Sequence, residues 1–186
     1  MAKSVCMSLS PLQQAVLFAA ERHKGEVTDL GLPYVCHPLQ VLENLRASGE
    51  ESEPMLVAAV LHDTVESGNA EIKEIARLFG ADAAGLVREL TRTEPDTETA
   101  EGLSPTKLQR LRFDLLLTDI DGMSSEAQSV KLADRLANLL QALETKRGKK
   151  KDRYLEQSRE VLNHIPKKAN RKLWKQIDSL LKDHDR

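Results

Sequence analysis

The chain has 186 residues, of which 30% are charged and 40% are hydrophobic, and its formal net charge is −2. This length allows one well-buried core and is short for two, so we expect a single domain over residues 1–186. A dedicated nucleic-acid-binding protein normally has a basic excess, which this sequence lacks. An anionic small-molecule substrate would therefore need a local cluster of charges or a metal ion.

The two cysteines, Cys6 and Cys36, form neither a disulfide framework nor a CxxC pair. Their use fits a reducing, cytoplasmic protein. Nowhere do 18 apolar residues follow one another, so we expect no membrane-spanning segment and no signal peptide.

Helical periodicity runs through the sequence and strand alternation is nearly absent, which predicts an all-α fold. Ser10-Pro11 resembles a helix N-cap followed by proline in the first turn. A loop is expected from Gly25 to Tyr34, and a second helix near His37-Pro38.

The segment from Met55 to Leu61 is apolar on every side, so its helix should lie in the middle of the fold. It leads directly into His62-Asp63, two polar residues that a central helix would not be expected to carry without a function. Further helices are predicted at about 72–79, 86–90, 105–117, 124–146, 154–165 and 173–181, with a polar, mobile loop at 93–104.

Four polar residues are candidate ligands of one divalent cation: His37, His62, Asp63 and Asp134. Buried charge is costly unless it is paired or metal-bound, and a nitrogen–oxygen ligand set without thiolates suits Mn²⁺, Fe²⁺ or Zn²⁺. The spacing alone does not prove that they converge. Alternatively, His62-Asp63 ends a helix, His37 caps one, and Asp134 pairs with a neighbouring Arg135 or Lys131.

Four stretches of the sequence form a recognisable series. In chain order they are Pro33-Tyr-Val-Cys-His37-Pro38, Val57-Ala-Ala-Val-Leu-His62-Asp63-Thr-Val-Glu66, Phe79-Gly80 with Leu86-Val-Arg-Glu-Leu90-Thr91, and Lys131-Leu-Ala-Asp134-Arg135-Leu-Ala-Asn138. Together they resemble the hydrolase domain of the RelA/SpoT family, and its single-domain small alarmone hydrolases in particular. The resemblance covers residues 12–145, and the part after residue 150 matches only in being helical.

The resemblance implies an HD-domain helical bundle with one Mn²⁺ per chain, bound by His37, His62, Asp63 and Asp134. The implied reaction is hydrolysis of the 3′-pyrophosphate of (p)ppGpp or (p)ppApp. Glu66, one helical turn after His62 if the helix continues, suits an acid or base role.

Two departures from the family pattern concern the site. Ser67 stands where the family has a second catalytic carboxylate; a serine can bind water but cannot act as a base at neutral pH. It can also cap the helix beside Gly68. The family's Arg-Lys element is replaced by Glu26-Val-Thr-Asp29, which favours an adenine alarmone or another nucleotide over ordinary (p)ppGpp.

Lys131, Asp134, Arg135 and Asn138 share one helix face by their i, i+3, i+4 and i+7 spacing. Lys131 and Arg135 can meet phosphate oxygens. Family position places Asn138 near the nucleoside, and Tyr34 can contact the base or simply pack the loop.

Two other functions remain open: a general HD phosphohydrolase of nucleoside mono- or triphosphates, and a catalytically weak alarmone-binding module. In each case the expected partner is a small-molecule nucleotide, with no nucleic acid or membrane. The sequence does not indicate the oligomeric state. His23, on an apolar helix stripe, is expected to be a satisfied core histidine.

Overall fold

A computed structural model describes residues 9–67 and 69–184, and within them the regular structure is α-helical. The helices are α1 (Pro11–Arg22), α2 (Cys36–Ala47), α3 (Glu53–Leu61), α4 (Ile72–Phe79), α5 (Ala81–Leu90), α6 (Thr97–Ala100), α7 (Pro105–Gly122), α8 (Ser125–Thr145), α9 (Lys149–His164) and α10 (Arg171–Asp183). An isolated antiparallel bridge between Val27 and Pro33 closes the loop between α1 and α2. The predicted all-α class is confirmed.

The helix starts follow from local sequence. The Ser10 side chain accepts a hydrogen bond from the Gln13 backbone, and the Gln13 side chain accepts one from the Ser10 backbone. This reciprocal capping box, with Pro11 in the first turn, fixes the start of α1 as predicted. At the starts of α7 and α8, the side-chain oxygens of Ser104 and Ser124 accept hydrogen bonds from the backbone N–H groups of Lys107 and Ala127.

Helix α3 is the centre of the fold. All residues from Met55 to Leu61 are buried, and the helix packs against α1, α2, α5 and α8. Leu61 is fully buried, so truncating it to alanine would remove roughly 2–5 kcal/mol of stability. This helix therefore holds whatever follows Leu61 at the meeting point of several helices.

A sharp corner joins α4 to α5 at Gly80, which ends the first helix and begins the second. Its φ of 92° lies in the region that side chains rarely adopt, so glycine is required there. The corner lets α5 fold back along α4 and pack on α3.

Two details differ from the sequence expectation. The predicted loop at 93–104 contains the short helix α6, whose first turn Asp96 caps. Helix α3 ends at Leu61 and does not continue to Glu66, because residues 62–67 form consecutive turns. Among the described residues no helix combines the length and apolarity that crossing a membrane requires.

Candidate metal and substrate site

Three separate elements bring the four candidate ligands together. His37 lies in the first turn of α2, and His62-Asp63 follow the last residue of α3. Asp134 lies near the middle of α8. Since α2, α3 and α8 all pack on one another, the end of the apolar helix α3 meets the other two helices at one point.

The distances between side-chain atoms define a compact cluster. The Asp63 Oδ2 atom lies 3.5 Å from His37 Nε2 and 3.2 Å from His62 Nε2. The Asp134 Oδ1 atom lies 3.4 Å and 3.7 Å from the same two nitrogens. Atoms bound to a common ion at about 2.1 Å are separated by roughly 3.0–3.4 Å at ordinary coordination angles, so these spacings suit one cation.

The tautomer of His62 fits metal binding. Its Nδ1 lies 2.9 Å from the Ala59 carbonyl oxygen, the partner to which a neutral ring would donate. Its Nε2 is buried and makes no hydrogen bond of acceptable geometry, although two carboxylates lie nearby. A buried nitrogen of this kind calls for a partner, and His37, His62 and Asp63 have ligand atoms within 4.8 Å of one another. The cluster can hold a divalent metal ion.

The charged groups of the cluster shift one another's pKa values strongly. Burial opposes ionisation of His62, but Asp63 and Asp134 outweigh it and hold the pKa of His62 well above its usual range. Burial opposes the charge of Asp134 as well, yet the Lys131 ammonium and the two imidazoles keep the pKa of Asp134 well below its usual range. Burial also opposes the charge of Asp63, but the neighbouring His62 keeps the pKa of Asp63 below its usual range. Both carboxylates are therefore ionised, as metal binding requires.

Each carboxylate of the cluster is held by neighbours. The Tyr34 hydroxyl donates a hydrogen bond to Asp63 Oδ2, and the Asn138 amide donates one to Asp134 Oδ1. Lys131 Nζ lies 2.9 Å from the other oxygen of Asp134. Burial and the nearby Asp63 charge raise the pKa of Tyr34, so its hydroxyl stays protonated. These contacts orient the two carboxylates toward the imidazoles.

Glu66 and Ser67 differ in their surroundings. Glu66 is half-buried and accepts hydrogen bonds from both the backbone N–H and the Nε of Arg92. Ser67 is exposed, and its hydroxyl donates to the Asp63 carbonyl oxygen at 2.9 Å, as a helix-end residue does. Gly68, the expected companion of Ser67 in a cap, lies outside the described residues.

Two adjoining cavities open on the cluster. The first, of about 310 Å³, is lined by the candidate ligands His37, Asp63 and Asp134 together with Glu66 and Ser67. The second, of about 590 Å³, lies between α7, α8 and α9. Four residues line both cavities: Arg92, Lys131, Asp134 and Asn138.

The charge of the second cavity is mainly basic. Besides Arg92 and Lys131 it contains Arg112 and Arg135, and Asp134 is the acidic residue in its lining. The Arg135 guanidinium carbon lies 5.4 Å from the centre of the Tyr154 ring, and its buried Nε has no hydrogen-bond partner. Such a cavity suits an anion with several oxygens.

A third cavity, of about 320 Å³, lies on the other side of His37 and is mostly apolar. Leu30 and Leu32 from the loop before α2 face Ala137 and Leu140 of α8 across it. Its polar edge contains Gln40 and Gln141. This volume and this mostly apolar lining suit an aromatic ring with polar substituents.

The sequence pointed to most of these residues but missed three that line the metal-type cavity: His23, Glu26 and Arg92. The expected core histidine is only partly satisfied, because His23 Nδ1 lies 3.0 Å from Glu26 while the buried Nε2 has no partner. The signal for Arg92 was its position directly after the family-like Leu90-Thr91 pair, but Arg92 pairs with a carboxylate 26 residues away, and sequence spacing cannot show such contacts.

The chain is similar to one known protein family and to several characterised proteins. The HD domain family matches residues 15–172. The guanosine-3′,5′-bis(diphosphate) 3′-pyrophosphohydrolase MESH1 of Danio rerio is 34% identical over 137 residues, which is 72% of this chain and 70% of that protein. The MESH1 protein of Drosophila melanogaster is 30% identical over 81% of this chain and 80% of its own length.

A solved structure shows the same architecture. It is described as a metazoan ortholog of SpoT that hydrolyses ppGpp and acts in starvation responses. The two chains superpose with a TM-score of 0.80 at 25% identity, over 96% of this chain and 98% of that one.

Proposed function

The chain belongs to the HD domain family, and we propose that it is a metal-dependent hydrolase that releases pyrophosphate from the 3′ position of guanosine or adenosine polyphosphates, (p)ppGpp or (p)ppApp. The MESH1 relatives carry the name of this activity, and they align over most of their length. We also propose that the protein acts in the reducing environment of the cytoplasm and that its partner is a small-molecule nucleotide.

One observation carries the choice of substrate class. The four-ligand cluster lies between an apolar cavity beside His37 and a basic cavity beside Asp134. A nucleotide with phosphates on its ribose has matching parts: a flat base at one end and a chain of anionic oxygens at the other. The phosphorus to be attacked would then lie next to the cluster.

We propose His37, His62, Asp63 and Asp134 as ligands of one Mn²⁺ ion. A bound divalent ion would lower the pKa of a water molecule and polarise a phosphoryl oxygen. The buried, unpartnered Nε2 of His62 and the two ionised carboxylates provide the donor set. Tyr34 and Asn138 keep those carboxylates in place.

Glu66 is the proposed proton acceptor. It lines the same cavity as the ligands and is half-buried, so its carboxylate can face a water molecule beside the substrate. In the reaction the water oxygen forms a bond to phosphorus and gives a proton to Glu66. The bond from phosphorus to the ribose 3′ oxygen breaks, and that oxygen takes up a proton. The products are pyrophosphate and the nucleoside 5′-diphosphate, or the 5′-triphosphate where the substrate carries three phosphates at its 5′ position.

Lys131, Arg135, Asn138 and Tyr34 are proposed to support substrate binding. Arg135 lines the basic cavity with a buried guanidinium, which suits phosphate oxygens. Lys131, Asn138 and Tyr34 contact the ligand carboxylates in the described structure, so they act on substrate through the shape and charge of the site. Ser67 can bind a water molecule at the rim of the cavity.

A substrate panel tests the proposal. The protein is incubated with Mn²⁺ and, separately, ppGpp, ppApp, dNTPs and dNMPs, and the products are separated by anion-exchange chromatography. We expect ppGpp or ppApp to be consumed with release of pyrophosphate. A His62→Ala, Asp63→Ala double variant should lose metal and activity while its circular dichroism stays helical.

The other outcomes decide between alternatives. Release of phosphate from dNMPs or dNTPs with no turnover of either alarmone would replace the proposal with a general nucleotide phosphohydrolase. Binding of ppGpp by calorimetry without turnover would indicate a sensor. Full activity of the double variant would remove the metal cluster from the mechanism.

A further inference from the structure

Arg92 occupies the boundary between the two cavities that open on the metal-type cluster. It lies two residues after the end of α5, in the segment that leads to α6. Its side chain is 47% exposed and lines both the 310 Å³ cavity and the 590 Å³ cavity. Few side chains are placed to reach a substrate that extends from one cavity into the other.

Glu66 holds one edge of the Arg92 side chain. Arg92 Nε lies 3.1 Å from Glu66 Oε2 and 3.3 Å from Oε1, and the Arg92 backbone N–H donates to Oε1 at 3.1 Å. Neither terminal amino group of the Arg92 guanidinium has a hydrogen-bond partner among the residues that the structure describes. The guanidinium is therefore oriented, and its two terminal amino groups remain available to a ligand.

Lys131 is the other lysine or arginine in the lining of the smaller cavity, and it is already engaged. It is 7% exposed at the side chain, and its ammonium lies 2.9 Å from Asp134. In the larger cavity, Arg112 is paired with Glu94 at 2.8 Å, and Arg135 is only 7% exposed. Arg92 is thus the cation beside the ligand cluster that combines exposure, fixed orientation and free donors.

We propose that Arg92 binds the oxygens of the 3′-pyrophosphate through its two terminal amino groups, while Glu66 holds it by Nε. This inference rests on the proposed pyrophosphohydrolase function. A planar guanidinium with two parallel N–H groups matches the spacing of phosphate oxygens. As the 3′ C–O–P bond breaks, Arg92 stays on the departing pyrophosphate, and the same contact keeps Glu66 beside the attacked phosphorus.

The test compares Arg92→Gln and Arg92→Lys with Arg88→Gln, a matched control on the exposed side of α5 one turn earlier. With the nucleotide that the wild-type protein cleaves fastest, we expect kcat/KM of Arg92→Gln to fall roughly 10- to 100-fold, the usual value of a charged hydrogen bond to phosphate. Arg92→Lys should recover part of the loss, and Arg88→Gln should match the wild type.

Inhibition by inorganic pyrophosphate, measured at a fixed concentration of free metal ion, shows whether Arg92 binds pyrophosphate itself or only positions Glu66. Arg92→Gln should weaken this inhibition about tenfold, whereas Glu66→Gln should lose kcat and keep the inhibition within about threefold. Metal affinity by calorimetry should not fall in Arg92→Gln, because Arg92 makes no hydrogen bond or ion pair with a proposed ligand and its positive charge opposes the binding of a cation.

Unchanged kcat/KM and pyrophosphate inhibition in Arg92→Gln would overturn the inference while leaving the proposed function intact. Loss of kcat with unaltered pyrophosphate inhibition would also overturn it, because Arg92 would then act only through Glu66. Should Arg92→Gln fail to fold, Arg92→Lys decides alone: it keeps the charge but lacks the paired N–H groups, so wild-type kinetics there contradict the proposal. Failure of the wild type to cleave any 3′-pyrophosphate would instead contradict the proposed function.

Discussion

Lys131 and Asp134 form a buried ion pair on α8, with Nζ 2.9 Å from Oδ2 and both side chains less than 10% exposed. The other oxygen of Asp134 faces the two imidazoles. One oxygen of Asp134 therefore pairs with the Lys131 ammonium, and the other faces the proposed metal position. Burying it without the lysine would leave its charge compensated only by the histidines.

Replacing Lys131 with methionine should therefore destabilise the metal-free protein by about 3–5 kcal/mol, the usual cost of breaking a buried pair from one side. A saturating divalent ion should restore much of that loss, since it compensates the same carboxylate. Urea unfolding with and without Mn²⁺ measures both effects. The control is Lys182→Met, which breaks an exposed pair with Asp178 and should cost under about 1 kcal/mol. Equal losses of unfolding free energy in Lys131→Met and Lys182→Met would contradict a stabilising role for the buried Lys131–Asp134 pair.

Tyr34→Phe removes the hydroxyl that donates to Asp63 and leaves the ring in contact with His23 and His37. We expect metal affinity to fall roughly 10-fold or more, because groups that orient a ligand carboxylate have effects of that order. Calorimetric titration with Mn²⁺ measures it. An unchanged affinity together with a raised KM would show that Tyr34 acts on the substrate instead.

Metal affinity should rise with pH across the neutral range. Burial works against the charged form of His62, but Asp63 and Asp134 hold its pKa well above the usual value, so the metal-free site carries a proton near pH 7. A cation must displace that proton. Affinity should then increase by up to about tenfold per pH unit until the pH passes the raised pKa, and level off above it.

The same shift has a stability consequence of defined sign. Because the folded-state pKa of His62 is raised, its contribution to stability is fully present below the unfolded value of about 6.5 and is lost as pH rises through the folded pKa.

The metal-affinity prediction is tested by calorimetric titration with Mn²⁺ in two buffers of different ionisation enthalpy, which detects the proton that His62 releases when the metal binds. A metal affinity that is flat from pH 6 to pH 8 would contradict the assignment of His62 as a ligand.

Ser67→Asp restores a second carboxylate next to Glu66 at the rim of the cavity. If the serine limits the reaction, ppGpp turnover should rise several-fold. The new side chain loses the hydroxyl donor to the Asp63 carbonyl, so a small loss of stability should accompany the gain. Ser67→Ala is the matched control and should lose that stability without gaining turnover. Equal turnover in the wild type and Ser67→Asp would show that the departure has no kinetic effect.

The sequence was sufficient for the helices, whereas the expectation that His37, His62, Asp63 and Asp134 meet came from the family resemblance and not from their spacing. The uniformly apolar run before His62 required a central helix, and the i, i+3, i+4 pattern placed Lys131 and Asp134 on one face. Both inferences depend on local periodicity, which the chain encodes directly. Helix α6 was missed because four residues are too few to show a period.

Contacts between residues that are far apart in the chain could not be predicted from the sequence. Nothing in the residues around Glu66 indicates that Arg92 will lie against it, because that pairing depends on how α5 turns back at Gly80. Tyr34 illustrates the same limit: its position beside proline favoured a loop-packing or base-contact role, whereas its hydroxyl donates to Asp63, a proposed ligand. Residue type told us what each side chain can do, and packing decided its partner.

The four proposed ligands come from α2, the end of α3 and α8, so they become neighbours only where these three segments pack together. The core between those helices is made of apolar side chains, which assemble by burial and not by coordination. We therefore expect the ion to bind after the helices have packed, in contrast to the ions that drive the folding of small zinc domains.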